Sequence, residues 1–358
     1  MKFALAGGGT GGHAYPAIAV AERLREVAGT ELVYYGTEKG PERAVAMQAD
    51  IPYRAVPASQ VRGRSPIRLA TGLARLWRGS QVAAQMLAED RPAAVFATGG
   101  YAAAPVGRAA QRAGIPLVVF LPDVHPGWAV RFLARYATKI ACSVDRSLAT
   151  LPADRTVVTG YPVRTQFMLA TREEGIARFG LDPALKTLLV AGGSLGAHQI
   201  NLAIAAALPS LLDQAQIIHV SGVDEEHWLQ RERDRLPEHL RSRYHLHAYT
   251  EEMAYAMRAA DLAVTRAGAS TLGELPITGL PAIVIPGSFS DQHVNADYLA
   301  SEGAAITLPT LRLDELQSLI LGLLDDTARR ESMAAAMRRL AQTDAAGHLA
   351  RLLREVAA

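Results

Sequence analysis

Residues 2–13, Lys-Phe-Ala-Leu-Ala-Gly-Gly-Gly-Thr-Gly-Gly-His, decide how this chain is read. An apolar strand runs into five glycines and a threonine, ends on His13 and is followed by an alanine-rich helical pattern. A second version stands at 187–198, Thr-Leu-Leu-Val-Ala-Gly-Gly-Ser-Leu-Gly-Ala-His. Each is a strand, a glycine-rich turn and a helix, the unit that opens a Rossmann-like domain. Glycine lets the backbone approach a ligand closely, and the helix N-terminus that follows favours an anion. Two such units half a chain apart predict an α/β protein of two Rossmann-like domains facing across a cleft. Each domain is expected to be a parallel sheet with helices on both faces.

The rest of the chain fits that frame. Strand-like runs recur at 2–6, 31–35, 93–97, 116–121 and 138–141, and again at 187–191, 216–220, 244–247, 261–264 and 282–285. Helical patterns alternate with them, which is the signature of a parallel sheet covered on both sides. Residues 312–356 read as helical throughout. The stretch Gly160-Tyr161-Pro162 is the expected hinge, since proline fixes φ and removes a donor. The expected domains are therefore 1–160 and 161–344, with 345–358 as a closing helix.

A length of 358 residues suits two cores, and 49% hydrophobic with 20% charged residues describes a packed globule rather than a disordered chain. Cys142 is the one cysteine, which excludes an intrachain disulfide and a multi-thiolate metal site. No run of about 18 apolar residues reads as a membrane span. The first strand starts at once, leaving no room for a signal peptide, so a cytoplasmic address is expected. Charge is uneven: residues 1–160 carry 19 Lys and Arg against 11 Asp and Glu, a net +8, and the remainder carries 18 against 24, a net −6. A basic first half suits an anionic partner.

The first loop contains the spacing Gly7-x-Gly9-x-x-Gly12, but the dinucleotide reading needs a carboxylate ending the second strand. That strand ends Val33-Tyr34-Tyr35-Gly36-Thr37, so nicotinamide and flavin enzymes are set aside. A Walker loop fails too, since no Lys-Ser/Thr follows the glycines. His13, where loop becomes helix, is placed to take a proton from an attacking sugar hydroxyl. Ser194 adds a hydroxyl to a phosphate-binding turn, and Arg164, in Gly-Tyr-Pro-Val-Arg, offers a fork of donors to the same phosphates. Glu274, following Arg266-Ala267-Gly268-Ala269-Ser270-Thr271, reads either as a helix-dipole partner or as an acceptor for a ribose diol. Asp291, Gln292 and Asn295 gather around one helix start, where sugar hydroxyls can be bound. His245 and His247 share a strand face without a third ligand and read as structural. Within 66–88, Arg68, Arg75 and Arg78 share one side and Leu69, Leu73, Leu76 and Trp77 another. Such a helix either packs on the sheet or meets a membrane surface.

These motifs in this order resemble the MurG family, bacterial transferases that add N-acetylglucosamine to the lipid-linked muramyl-pentapeptide precursor of peptidoglycan. The resemblance rests on Gly-Gly-Gly-Thr-Gly-Gly-His (7–13), Thr-Gly-Gly-Tyr (98–101), Pro-Val-Arg (162–164), Gly-Gly-Ser-Leu-Gly-Ala (192–197), Arg-Ala-Gly-Ala-Ser-Thr (266–271), Glu274 and Asp-Gln-x-x-Asn-Ala (291–296). It implies a GT-B glycosyltransferase with no catalytic metal or other cofactor, UDP-N-acetylglucosamine as donor, an undecaprenyl-linked acceptor and no nucleic-acid partner. The second domain would hold the donor. The first would hold the acceptor and meet the cytoplasmic face of the membrane, peripherally, with the closing helix returning to it. By the same resemblance Ser194 and Arg164 contact the diphosphate, Glu274 the ribose, and the chain at Tyr249 and Thr250 the uracil. Ala269, Asp291 and Gln292 meet the sugar, Thr10, Gly11 and Gly12 line the site, and His13 is the favoured base.

Two places depart from the family pattern: the Asp291-Gln292 pair, where members carry two amides, and the segment after the strand at 116–121. Where members read His-Glu-Gln-Asn, this chain has Phe120-Leu121-Pro122-Asp123 followed by Val124-His125-Pro126-Gly127. Asp123 stands for an asparagine at the donor sugar, and as a carboxylate it is a second candidate for the base. Two other readings stay open: a GT-B transferase with another lipid or small-molecule acceptor, and a UDP-sugar epimerase.

Overall fold

The computed structural model describes residues 1–9, 11–58, 66–193, 197–287 and 292–358, without the side chains of 66–71 and 73. The chain forms two compact units, Met1–Thr165 with Asp344–Ala358, and Gln166–Thr343. In the first, strands β1 (Lys2–Ala6), β2 (Glu31–Gly36), β3 (Tyr53–Ala55), β4 (Ala94–Ala97), β5 (Leu117–Leu121), β6 (Lys139–Cys142) and β7 (Thr156–Val158) form one sheet. Its order is β3-β2-β1-β4-β5-β6-β7, every pair parallel. Helices α1 (Gly11–Arg25), α2 (Glu42–Gln48), α3 (Pro66–Asp90), α4 (Gly100–Arg112) and α5 (Trp128–Leu133) connect the strands. Both sheet faces are covered, so β4 and β5 are buried at every residue, which is why they read as unbroken apolar runs.

The second unit repeats the plan. After α6 (Gln166–Leu169) and α7 (Arg172–Phe179) come β8 (Lys186–Ala191), α8 (His198–Gln214), β9 (Ala215–Val220), α9 (Glu226–Asp234), α10 (Glu238–Arg241) and β10 (Tyr244–His247). They continue into α11 (Met253–Ala259), β11 (Leu262–Thr265), α12 (Thr271–Thr278), β12 (Ala282–Val284), α13 (Gln292–Ser301) and β13 (Ala305–Thr307). The sheet order is β10-β9-β8-β11-β12-β13, again all parallel. Helices α14 (Leu316–Asp325) and α15 (Thr327–Arg339) follow, and α16 (Ala345–Ala357) packs on α1 through its apolar face of Leu349, Ala350 and Leu353. In both sheets the order reverses beside the first strand. Ligands of open parallel sheets bind at that reversal, beyond the carboxyl ends of the strands.

Three differences from the sequence reading have physical reasons. Strands β3, β7 and β13 were not expected: each has three residues, lies at a sheet edge and lacks an apolar run. The first unit runs through Thr165, beyond the hinge expected at 160–162. Its last residues are tied to α1, with the Thr165 N–H and hydroxyl both donating to Glu22 Oε2 (3.2 and 2.7 Å). Among the described side chains and glycines of α3, Gly72, Gly79, Ser80, Ala83 and Leu87 are buried, whereas Leu76 is only half-buried and Trp77 is 64% exposed; the side chains of Arg68, Leu69 and Leu73 lie outside the described residues. Among the described residues, no helix is long and apolar enough to cross a membrane.

Candidate active site

In the first unit, the loops after β1 and β4 meet at the strand reversal. Gly8 and Gly100 come so close that a Cβ on Gly100 would lie 1.8 Å from the Gly8 carbonyl oxygen. Gly100 also has φ +73°, so no other residue fits there. The approach locks His13 in place. Its Nδ1 lies 2.9 Å from the Thr98 carbonyl oxygen, and the Thr98 hydroxyl donates back to the His13 carbonyl (2.6 Å). A carbonyl only accepts, so Nδ1 carries the proton and Nε2 is the basic nitrogen of the neutral ring.

Gly11 and Gly12 form the start of α1, beside His13. The Tyr161 hydroxyl donates to the Gly12 carbonyl (3.3 Å), and the Arg164 guanidinium stacks 4.6 Å above the ring of Tyr15. Arg164 therefore belongs to the first unit, held on α1, and not to the second domain where the sequence reading counted it. Asp123 follows β5. Its loop hangs from two buried hydroxyls, with Ser143 donating to the Pro122 carbonyl (2.9 Å) and Ser147 to the Val124 carbonyl (2.8 Å). Cys142, at the end of β6, is buried, and burial pushes its thiol up to about 12.

In the second unit the loops after β11 and β12 are knitted together. Arg266 donates to the carbonyls of Ile285 and Pro286 (3.3 and 3.4 Å), and burial lowers its pKa below the usual value. Gln292, opening α13, accepts from the Gly287 N–H (2.7 Å). Asn295 is fully buried and donates to the Ala267 carbonyl (3.1 Å), so it braces the β11 loop instead of facing a sugar. Ala269 and Glu274 are half-buried, Glu274 within the first turn of α12. Tyr249 and Thr250 lie apart from this group, past the edge strand β10. The Tyr249 side chain is exposed, and the Thr250 hydroxyl accepts from the Glu252 N–H (3.0 Å). Thr10, Ser194 and Asp291 lie outside the described residues.

Two buried groups, one in each unit, were missed by the sequence reading. Glu42 is fully buried and accepts from the N–H of Gly9 (3.0 Å), the N–H of Thr37 (2.7 Å) and the hydroxyl of Thr37 (2.5 Å). A carboxylate thus does reach the end of β2, from the next helix. The only sequence signal was an acidic residue opening a helix soon after the strand. In the second unit, His219 on β9 accepts from the Tyr244 hydroxyl at Nδ1 (2.7 Å) and donates from Nε2 to Asn201 Oδ1 (3.0 Å). Asn201 in turn donates to the Ser221 carbonyl (3.0 Å). Burial holds the His219 pKa down at about 3, so the ring is neutral. His245 and His247 are likewise lowered, burial being the largest cause. Among the described residues, no group of three or more His, Cys, Asp or Glu is arranged to hold a metal ion.

Comparison with known proteins adds to this geometry. The sequence matches the glycosyltransferase family 28 N-terminal domain over residues 3–142 and the family 28 C-terminal domain over 187–349. A UDP-N-acetylglucosamine--N-acetylmuramyl-(pentapeptide) pyrophosphoryl-undecaprenol N-acetylglucosamine transferase of Roseiflexus sp. (strain RS-1) is 44% identical, over 98% of this chain and 93% of that protein. The crystal structure of Acinetobacter baumannii MurG superposes with a TM-score of 0.75 at 27% identity, covering 99% of both chains. A UDP-GlcNAc 2-epimerase from Neisseria meningitidis, bound to UDP-GlcNAc, reaches a TM-score of 0.69 over 99% of this chain and 100% of that one, but at 15% identity it shares the fold alone.

Proposed function

This chain belongs to the MurG family of N-acetylglucosamine transferases, and from that premise we propose how its residues carry the reaction. It transfers N-acetylglucosamine from UDP-N-acetylglucosamine to the lipid-linked muramyl-pentapeptide, converting lipid I to lipid II in peptidoglycan synthesis. One observation carries the mechanism: His13 is fixed with Nδ1 on the Thr98 carbonyl, which leaves Nε2 as a base. The acceptor hydroxyl attacks the anomeric carbon as its proton passes to Nε2. The bond from that carbon to the phosphate oxygen breaks, UDP departs with the electron pair, and the configuration inverts. A positioned base of this kind contributes about 10²- to 10⁴-fold.

Charge growing on UDP is met by the Arg164 guanidinium, held over the Tyr15 ring, and by Ser194 at the second glycine loop. Glu274 takes the ribose, the chain at Tyr249 and Thr250 the uracil, and Ala269, Asp291 and Gln292 the sugar. Asp123, on its serine-pinned loop, also contacts the sugar. With these donors on the diphosphate, transfer requires no divalent metal.

The enzyme works peripherally on the cytoplasmic face of the cell membrane, through the first unit. Support comes from Trp77 and Trp128, 64% and 49% exposed, with Phe132 stacked on Trp128 at 5.5 Å. Leu76, Trp77, Phe132, Arg108 and Arg112 line a depression of about 150 Å³ there. Aromatic rings rimmed by arginines suit an anionic lipid interface.

The decisive assay is transfer of radiolabelled sugar from UDP-N-acetylglucosamine to a short-chain lipid-linked muramyl-pentapeptide in the presence of EDTA. Product formation is expected. UDP binding by calorimetry without transfer would move the assignment to another acceptor. Transfer that stops in EDTA and returns with Mg²⁺ would overturn metal independence.

A further inference from the structure

We propose that Glu42 is a positioning residue for the first glycine loop, and through it for His13; the functional half of this claim rests on the reaction assigned above. Glu42 opens α2, far in sequence from residues 7–13, yet its carboxylate lies fully buried against them. A buried carboxylate is costly unless its oxygens are hydrogen-bonded. Here the partners are backbone N–H groups and a hydroxyl rather than a cation: Thr37 gives two donors to Oε1 and Gly9 gives one to Oε2. Hydrogen bonds to an ionised oxygen are the stronger kind.

The loop is gripped from two sides. A Cβ on Gly8 would stand 2.3 Å from Glu42 Oε1, and the Gly8 carbonyl faces Gly100 of the β4 loop. Gly7 is held separately, its carbonyl accepting from the buried Tyr34 hydroxyl (3.2 Å). Gly40 also packs directly on the carboxylate, since a Cβ there would fall 2.1 Å from Oε2. Immediately beyond this clamp, α1 begins at Gly11 and carries His13 to the Thr98 carbonyl. Releasing the Gly9 end frees the segment that sets where the base stands.

The donor count makes the test selective. Both carboxylate oxygens only accept, whereas a glutamine has one acceptor and one donor end. With two donors from Thr37 converging on one oxygen, Glu42→Gln keeps its carbonyl there and turns its amide N–H against Gly9. Amide hydrogen exchange by mass spectrometry, together with steady-state transfer kinetics, reads the consequence. In E42Q the peptide over residues 7–13 is expected to exchange at least about tenfold faster, the equivalent of one lost charge-assisted bond, with β4 and β5 peptides unchanged. The kcat is expected to fall about 10- to 100-fold through misplacement of the base, with the UDP-N-acetylglucosamine KM held within about threefold.

Unchanged exchange over 7–13 would overturn the anchoring. Faster exchange with wild-type kcat would overturn the positioning role. A fall in kcat matched by a rise in donor KM would do the same, because it points to general loosening. If the wild-type protein transfers no sugar, the assigned reaction fails, and exchange in E42Q still decides the anchoring. Should E42Q not fold, Thr37→Val, which removes one of the three bonds and keeps the carboxylate, takes its place. Faster exchange over 7–13 then supports the clamp, and unchanged exchange overturns it.

Discussion

The two sheets share the order of their first six strands but differ in the buried polar groups that brace them. In the first unit the support is ionic: Glu42 under Gly9, with the Tyr34 hydroxyl under Gly7. In the second unit the buried group is a neutral imidazole: a chain runs from Tyr244 through His219 and Asn201 to the Ser221 carbonyl, and Asn201 also reaches Glu225 Oε2 (3.5 Å). A carboxylate clamp can hold bare backbone N–H groups in a loop that has no side chains to pack. The same strand order is thus braced by a buried carboxylate in one unit and by a buried neutral histidine in the other.

The largest effect should come from His13. Its replacement by alanine is expected to cut kcat about 10²- to 10⁴-fold with UDP still binding in calorimetry. A normal turnover in that variant would remove His13 as the base and leave Asp123 as the candidate. Next is acid stability, where the two supports should separate. Above its ordinary pKa of 6.5, His219 is neutral whether folded or unfolded, and the network contributes fully. As pH falls from 6.5 toward about 3, the unfolded chain takes a proton that the native ring refuses. Stability should then decline by up to about 1.4 kcal/mol per pH unit from this group. His245 and His247 act in the same direction. His219→Gln should therefore start less stable at pH 7 and decline less steeply, as read by urea midpoints at pH 7 and 4.5. Parallel decline in both proteins would contradict the buried neutral ring.

A smaller change is expected for Arg164→Ala, about a tenfold rise in the KM for UDP-N-acetylglucosamine with a lesser effect on the acceptor KM. Equal effects on both would detach Arg164 from the diphosphate. Smallest is the surface contrast. Two of the three tryptophans, Trp77 and Trp128, stand exposed on the first unit, while Trp228 of the second donates to Glu225 (2.8 Å). Trp77→Ser with Trp128→Ser should weaken binding to anionic vesicles several-fold, with transfer to a water-soluble acceptor unchanged. Vesicle binding that survives both changes would place the membrane surface elsewhere.

How legible was this in the sequence? Central strands such as Leu117–Leu121 were plain, because burial on both faces demands an unbroken apolar run. Tyr53–Ala55 and Thr156–Val158 were not, because an edge strand of three residues carries no such pattern. Around the proposed site, the strand, glycine turn and helix that carry His13 were legible as a local pattern. Asn295 was misread, since its position by a helix start matched that of a sugar ligand while its side chain turns inward to Ala267. Trp77 and Leu76 lie on the side of α3 that leaves the core, and helical periodicity alone could not say which apolar stripe would be buried.

The amino-acid sequence by itself determined the two doubly covered parallel sheets and the order of their loops. Parallel strands and glycine turns are local patterns, written within a few residues of one another. Only the tertiary structure decided which nitrogen of His13 is basic, that Glu42 clamps Gly9, and that Arg164 rides on α1. Those facts depend on partners brought from a distance: Thr98 lies 85 residues from His13, and Glu42 lies 33 from Gly9. Periodicity says which face a residue takes and nothing of the donor it will meet there.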